Sequence, residues 1–437
     1  MADAWTFNAR PPRPPWGVHV PSHKAATRAM SIRQAPLPPV AHLSTPTAAV
    51  ALVSAGDCVK SGQPVARGSD GCALHATISG TIAAVSTSAG GQVDVAIDSD
   101  GRDEWHDSCV PCKAPLALPP RELRRRLLDG GIVGLGGALF PSGLKLDSAP
   151  RVRALIINGA ECEPWITCDE ILLRERATQV VEGARILMHA AGTVHAVIAV
   201  ETDMPEARIA LHDALATSGD DRIGLAVVSA KYPAGGERQL IEMLTGAEVP
   251  LGGLPGDVGY LCQNAGTAAA AADLLLLGRP LVSRIVTVTG GGVAEPGNFE
   301  VRLGTPLAML VAAAGGYKGV PARLIVGGPM MGVAQPDDAA AVTAATNCVV
   351  AALADDIAPA APEMPCIRCG DCVQACPARL LPHELLAASR QGHADALRDL
   401  HLDACIECGC CDYVCPSMIP LTAAFAAAKA ARRSRPS

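Results

Sequence analysis

Between residues 41 and 115 short runs of alternating apolar and polar positions are divided by glycine-bearing turns, at Gly56-Asp57, Ser61-Gly62 and Ser79-Gly80. Period two broken by turn residues is the pattern of half-buried strands, so an all-β unit is expected over 41–115. The period then changes. A helical run at 121–129 stops at Gly130-Gly131, and apolar strand candidates follow at 153–157, 194–200 and 284–289. Helical stretches lie between and after them, near 169–190, 205–217, 237–245 and 265–277. Alternating strands and helices predict an α/β domain over 116–280. A smaller unit at 281–350 reads as strand, strand, helix (306–314) and strand (322–327). Before these units, residues 1–40 carry Pro11, Pro12, Pro14, Pro15, Pro36, Pro38 and Pro39 and read as an extended arm. After them, an Ala/Pro/Asp-rich linker is expected at 351–364 and a cysteine-rich module with a C-terminal helix at 365–437.

Charge narrows the class of partner. The chain has 36 basic against 43 acidic residues, a formal charge of −7, which argues against a nucleic-acid surface. The basic stretch from Lys429 to Arg435 reads as a short solvated tail. The longest apolar stretch, Ala268 to Leu277, is interrupted by Asp273 and falls short of the roughly 20 residues that a membrane span needs. No basic segment followed by an apolar one marks a secretory signal, so a cytoplasmic protein able to dock on a membrane partner is expected.

Seventeen cysteines would suggest a disulfide scaffold in a small secreted chain, but nine of these lie between Cys366 and Cys415. In a long chain of a reducing compartment that crowding points to metal or cluster ligation. The spacing is Cys366-x2-Cys369-x2-Cys372-x3-Cys376-Pro377, repeated as Cys405-x2-Cys408-x2-Cys411-x3-Cys415-Pro416. In two-cluster ferredoxins the fourth cysteine of each run serves the other cluster. That exchange assigns Cys366, Cys369, Cys372 and Cys415 to one [4Fe–4S] cluster, and Cys405, Cys408, Cys411 and Cys376 to a second. Zinc usually takes two separated cysteine pairs, and the third cysteine in each run argues against it. Cys410 is expected to be a packed bystander, and most of the other eight cysteines ordinary buried residues.

Clusters carry single electrons, and the residues that could load them lie in three motifs. The first is the glycine-rich run from Gly134 through Gly136, Gly137 and Phe140 to Lys145, whose bare backbone lets a phosphate or a flat ring approach. The second runs from Asn158 through Glu161, Cys162, Glu163 and Trp165 to Thr167, after the strand at 153–157. Ligands of α/β sheets sit beyond the carboxyl ends of strands, and two acids and an amide there suit the hydroxyls of a ribityl chain. The third, Lys231-Tyr232-Pro233-Ala234-Gly235-Gly236-Glu237-Arg238, opens a helix. Phe140, Trp165 and Tyr232 fall one in each motif, in a chain with only twelve Phe, Trp and Tyr residues. Rings so placed could stack on flavin or nicotinamide.

These motifs together resemble the RnfC family, the peripheral subunits of Rnf-type ion-translocating electron transport complexes. The segment from Ile325 to Met331-Gly332 and the double cysteine run belong to the same likeness, which covers nearly the whole chain. The middle part is also similar to the flavin-bearing, NADH-oxidising subunit of respiratory complex I. The resemblance implies a multidomain α/β protein. Its parts would be a lipoyl-like barrel-sandwich β domain, a complex-I-flavoprotein-like α/β domain, a soluble-ligand-binding β-grasp domain and a two-cluster ferredoxin-like domain. It further implies non-covalent FMN and an NAD(H) site. Near the flavin it places Gly134, Gly136, Gly137, Lys145, Asn158, Glu161, Glu163, Tyr232, Glu237, Asn264 and Thr267, with Phe140 beside the nicotinamide and Lys145 and Glu163 in catalytic roles. Lys145 would stabilise anionic reduced flavin.

The implied partners are membrane and soluble subunits of the complex and, through them, ferredoxin or flavodoxin. The implied place is the cytoplasmic face of the bacterial inner membrane, without a span. Two other readings stand beside this one: a cobalamin-reductase-like flavoprotein, and an iron–sulfur relay or scaffold without nicotinamide activity. The sequence departs from the family at Leu139, where glycine is usual, and from complex I at Leu135, Ala160 and Gly236. It also stops short of the Ala-rich extension that some members carry.

Overall fold

A computed structural model describes residues 14–148, 151–359 and 361–433. The first sheet has the strand order Cys58–Val59, Gly80–Thr87, Gln92–Ser99, Val40–Ala51, Pro64–Gly68, Ala73–His75, antiparallel throughout. Its alternation is the one seen in the sequence: Ala41, Leu43 and Thr45 point inward along one strand, and Val93, Val95 and Ile97 along its neighbour.

The second sheet is parallel, in the order Ile223–Val228, Ala196–Glu201, Ala154–Gly159, Tyr260–Asn264. Its central strands are buried almost without alternation, as expected where helices cover both faces. The helices Ala177–Ala190 and Ala265–Ala272 cross so closely that a Cβ on Gly183 would lie 1.8 Å from the Ala268 carbonyl oxygen. The strands Ile223–Val228 and Tyr260–Asn264 were not among those expected. Gly224 interrupts one, and the other is five residues long and ends in buried Gln263 and half-buried Asn264.

The third sheet is mixed: Ile32–Gln34, Gly297–Arg302, Ser283–Thr289, Cys348–Ala352, Arg323–Val326, Val333–Gln335. The strand Cys348–Ala352 pairs on both sides, so the unit runs two residues into the expected linker. Beyond it the helices Asp371–Ala375, Pro382–Gln391, Ala394–Asp399, Cys410–Tyr413 and Leu421–Arg433 carry the cysteine module.

The N-terminal segment, from where it is described, is not a free arm. Trp16 is buried under the parallel sheet against Ile156, Val197 and Ala226. Val18 bridges to Tyr232, and Ile32–Gln34 adds an edge strand to the third sheet, parallel to Gly297–Arg302. A one-turn helix, Ala25–Arg28, lies between them. Apolar anchors set among prolines hold this extended chain across several units. The expected solvated tail is corrected at its first residue: Lys429 is buried, and its Nζ donates to the Cys405 carbonyl and to Glu407 Oε1 at 2.8 Å, while Arg433 is exposed and residues 434–435 lie outside the described residues.

Candidate functional site: a bare glycine loop and two thiol-lined cavities

Asn158 and Asn264 lie opposite one another at the carboxyl edge of the parallel sheet. Asn264 caps the helix Ala265–Ala272, its Oδ1 accepting from Gly266 N at 2.8 Å while Nδ2 donates to Asp169 Oδ2 at 2.6 Å. Thr267, in that helix's first turn, pins the glycine-rich loop. Its Oγ1 accepts from Leu135 N at 2.9 Å and donates to the Val133 carbonyl at 3.1 Å. The loop closes on itself through Gly134 N to Phe140 O at 3.0 Å. What it presents is bare: a Cβ at Gly137, where φ is +108°, would meet nothing within 4 Å, and one at Gly136 would meet only Asn264, at 3.6 Å or more. Phe140 stands 51% exposed at the loop's end. Lys145 Nζ is 2.6 Å from Glu237 Oε1, and Glu237 opens the helix Glu237–Thr245. Asn158 ties the third motif in, with Nδ2 donating to the Gly235 carbonyl at 2.8 Å.

Leu139 has φ +53°, a left-handed conformation that costs a β-carbon-bearing residue about 1–2 kcal/mol. That is the strain expected where the family has glycine.

Three residues expected around the flavin are committed elsewhere. Glu161 is buried, and its carboxylate accepts from Asp169 N at 2.9 Å and Glu170 N at 3.3 Å, capping the helix Cys168–Glu175. Burial pushes its carboxyl up to about 7 against the pull of Lys24. Glu163 Oε1 accepts from Met330 N at 2.7 Å and Met331 N at 3.1 Å, on the loop between two strands of the third sheet. A Cβ on Gly328 would lie 2.0 Å from Glu163 Cγ, so that loop closes over the carboxylate. Tyr232 is 2% exposed, and its hydroxyl donates to the Cys408 carbonyl at 2.8 Å. Trp165 is stacked on His23 with ring centroids 4.7 Å apart, which leaves Phe140 as the one ring of the three on the open side.

Sequence reasoning missed Lys24. It is 3% exposed, donates to the Glu161 carbonyl, and lies among the carboxylates of Glu161, Glu201, Glu170 and Asp203. Burial pulls its pKa down, yet those carboxylates outweigh it and the net shift is upward. Glu201 is pushed up to about 8 by burial, against the attraction of Lys24, and its buried Oε1 has no hydrogen-bond partner. A single lysine between His23 and Ala25 in a proline-rich segment carries no pattern that could have revealed this.

The cysteine runs converge as the exchange requires. Cys366, Cys369, Cys372 and Cys415 line one cavity, with His383 in its wall. Cys376, Cys405, Cys408 and Cys411 line another, and Cys410, fully buried, lines it with them. All seventeen cysteines are unbridged. The second cavity is the inner one. Cys408 and Cys410 pack with Val18, Tyr232 and Ala375, against partly buried Cys162 and Met330. Arg379, on the same module, pairs with Glu242 and, at 3.2 Å, with Glu248. The first cavity faces outward, with Cys366 and Cys369 exposed.

Family models match the chain in the order of its units. That of the RnfC barrel sandwich hybrid domain covers residues 14–102, that of the Nuo51 FMN-binding domain 127–273, that of the SLBB domain 285–334 and that of the 4Fe-4S dicluster domain 365–419. The ion-translocating oxidoreductase complex of Pseudomonas aeruginosa has a subunit 42% identical to this chain over 403 residues, 89% of this chain and 50% of that protein. Its Pasteurella multocida counterpart is 41% identical over 430 residues, 95% of this chain and 51% of that protein. Over most of its length the chain is similar to RnfC-family subunits. It spans about half the length of these curated relatives. In fold it is also similar to a chain of an NAD+-reducing [NiFe]-hydrogenase in the H2-reduced state. The TM-score is 0.50 at 21% identity, over 74% of this chain and 64% of that one.

RnfC-family architecture implies FMN and two [4Fe–4S] clusters, and the residues present can be tested against each. The eight thiols fit two clusters: they are unbridged, fall into two sets of four around two cavities, and leave a buried, unpartnered His383 Nδ1 in the residue that lines the first. For FMN the loop side fits, with the open faces of Gly136 and Gly137, the amide end of the Ala265–Ala272 helix and the charge of Lys145. On the other side Glu161, Glu163 and Tyr232 already hydrogen-bond within the chain, Glu163 through Oε1.

Proposed function

We propose that the chain exchanges electrons between NAD(H) and a ferredoxin-type chain through FMN and two [4Fe–4S] clusters. It would do so as the peripheral subunit of an Rnf-type ion-translocating oxidoreductase, at the cytoplasmic face of the bacterial inner membrane. The observation that carries this is the packing of one four-thiol cavity directly on the Tyr232 motif, which Asn158 ties to the carboxyl edge of the parallel sheet. Flavin supplies the change from hydride chemistry to single-electron steps, and clusters carry single electrons.

The chain's own residues supply the rest. Gly134, Gly136 and Gly137 leave room for a flat ring, Thr267 holds their loop still, and Phe140 offers a face for the nicotinamide. Lys145 puts a positive charge there, partly neutralised by Glu237. The order of burial suggests a route: flavin, then the cluster of Cys405, Cys408, Cys411 and Cys376, then that of Cys366, Cys369, Cys372 and Cys415. A partner subunit would meet the outer cavity, whose neighbourhood exposes Met364, Ile367 and Met418. Among the described residues no helix is long and apolar enough to cross a membrane, so ion movement is assigned to other subunits.

An iron–sulfur relay without nicotinamide activity is the second reading, favoured by the inward commitment of Glu161, Glu163 and Tyr232. One experiment separates the two: an anaerobic absorbance spectrum with iron and flavin quantified, before and after NADH. About eight irons, one flavin and bleaching by NADH are expected. Eight irons with neither flavin nor bleaching would leave only the relay.

A further inference from the structure

We infer that His383 tunes the outer cluster, donating a hydrogen bond from its buried Nδ1 to a sulfur of the cluster held by Cys366, Cys369, Cys372 and Cys415. This rests on the cluster reading proposed above. His383 is the second residue of the helix Pro382–Gln391, and its backbone N–H reaches Cys372. His383 is among the residues that line the cavity of these four cysteines. The two ring nitrogens meet different surroundings. Nε2 lies 3.3 Å from Glu384 Oε1, a side chain 53% exposed, so that edge of the ring faces outward. Nδ1 is buried and, among the described residues, has no hydrogen-bond partner.

A buried ring nitrogen left unpartnered costs free energy, and the structure must offer it something. Thiolates and sulfides are acceptors only, so a hydrogen carried on Nδ1 satisfies both sides at once. The inner cavity is built differently: Thr422, whose Oγ1 lies 3.9 Å from Cys411 Sγ, and Cys410 line it, and among the described residues no histidine does. The two clusters therefore differ in donors, although their cysteine spacing is the same.

A donor at a cluster sulfur stabilises the reduced, more negative state and raises the midpoint potential. His383 thus sets the outer cluster above where its cysteines alone would hold it. If the route runs outward from the flavin, this draws electrons to the exposed cavity.

The test is an EPR-monitored redox titration of the purified holoprotein. In His383→Leu one of the two four-iron signals should move to lower potential by about tenfold in its reduction equilibrium, about 59 mV for one electron, while the other stays. His383→Gln, whose amide can donate from a similar place, should recover most of that shift. Unmoved potentials in His383→Leu, with eight irons retained, would overturn the proposal. Should His383→Leu lose iron, pulsed EPR on the unaltered protein grown with ring-15N histidine decides instead. Coupling of an imidazole nitrogen to one cluster supports the bond, and its absence refutes it. Protein with no four-iron signal at all would remove the cluster reading itself, and this proposal with it.

Discussion

Replacing Glu163 with alanine deletes the acceptor of two backbone hydrogen bonds, from Met330 N at 2.7 Å and Met331 N at 3.1 Å. Hydrogen bonds to a charged acceptor contribute about 1.5–3 kcal/mol each when enclosed. Met331 is 53% exposed, so its bond belongs at or below the lower end of that range. The loop from Gly327 to Gly332 should then lose about 2–4 kcal/mol of local stability. Amide hydrogen exchange reads this directly, because opening of the loop exposes those two amides. Their protection should fall roughly 30- to 1000-fold in Glu163→Ala. Glu163→Gln keeps an oxygen acceptor and loses only the charge assistance, so about tenfold is expected there. Flavin content should be the same in both variants, since the carboxylate is committed to the loop. Unchanged exchange at Met330 and Met331, together with lost flavin, would refute this reasoning and return Glu163 to the cofactor.

Further outcomes test other parts of the molecule. If the fourth cysteines are exchanged, Cys415→Ala combined with Cys369→Ala should retain about four irons, because both serve one cluster, whereas Cys415→Ala with Cys408→Ala should retain none. Leu139→Gly should release left-handed strain and raise the thermal midpoint by about 1 kcal/mol of stability, and a lower midpoint would show that the leucine side chain contributes more than the strain costs. Lys24→Met leaves buried carboxylates without their cation and should destabilise the fold by about 3–5 kcal/mol in a denaturant titration. Glu161 and Glu201, ordinarily near 4.5, are raised by burial to about 7 and about 8, so the folded chain holds protons that the unfolded chain releases. Their contribution is whole below about pH 4.5 and is lost as pH rises through 7 and 8. The thermal midpoint should therefore fall over that window, and Glu201→Gln should flatten the fall.

Elements whose information is local could be read from the amino-acid order. Period-two alternation at Ala41, Leu43, Val93, Val95 and Ile97 reports a half-buried sheet, because each inward position is encoded beside an outward one. The cysteine runs are legible for the same reason, since a tight loop must supply three thiols within about seven residues. The bare face of Gly136 and Gly137 and the strained Leu139 also follow from the identity of single residues.

Contacts between partners far apart in the chain were settled by packing. Glu161, Glu163 and Tyr232 carry the composition of a polyol or ring site. Their side chains meet a helix start, a loop 167 residues away and the Cys408 carbonyl, and no local pattern encodes those contacts. The strap from Trp16 to Gln34 escaped for a related reason: one tryptophan, one valine and one lysine anchor it at separate places on the α/β unit, with Val18 also meeting the cysteine module. His383 is one histidine in a helix until the fold sets that residue in the lining of the four-cysteine cavity. Burial and the desolvation that gives Lys24, Glu201 and His383 their consequences are properties of packing. They exist only once distant segments have excluded water together.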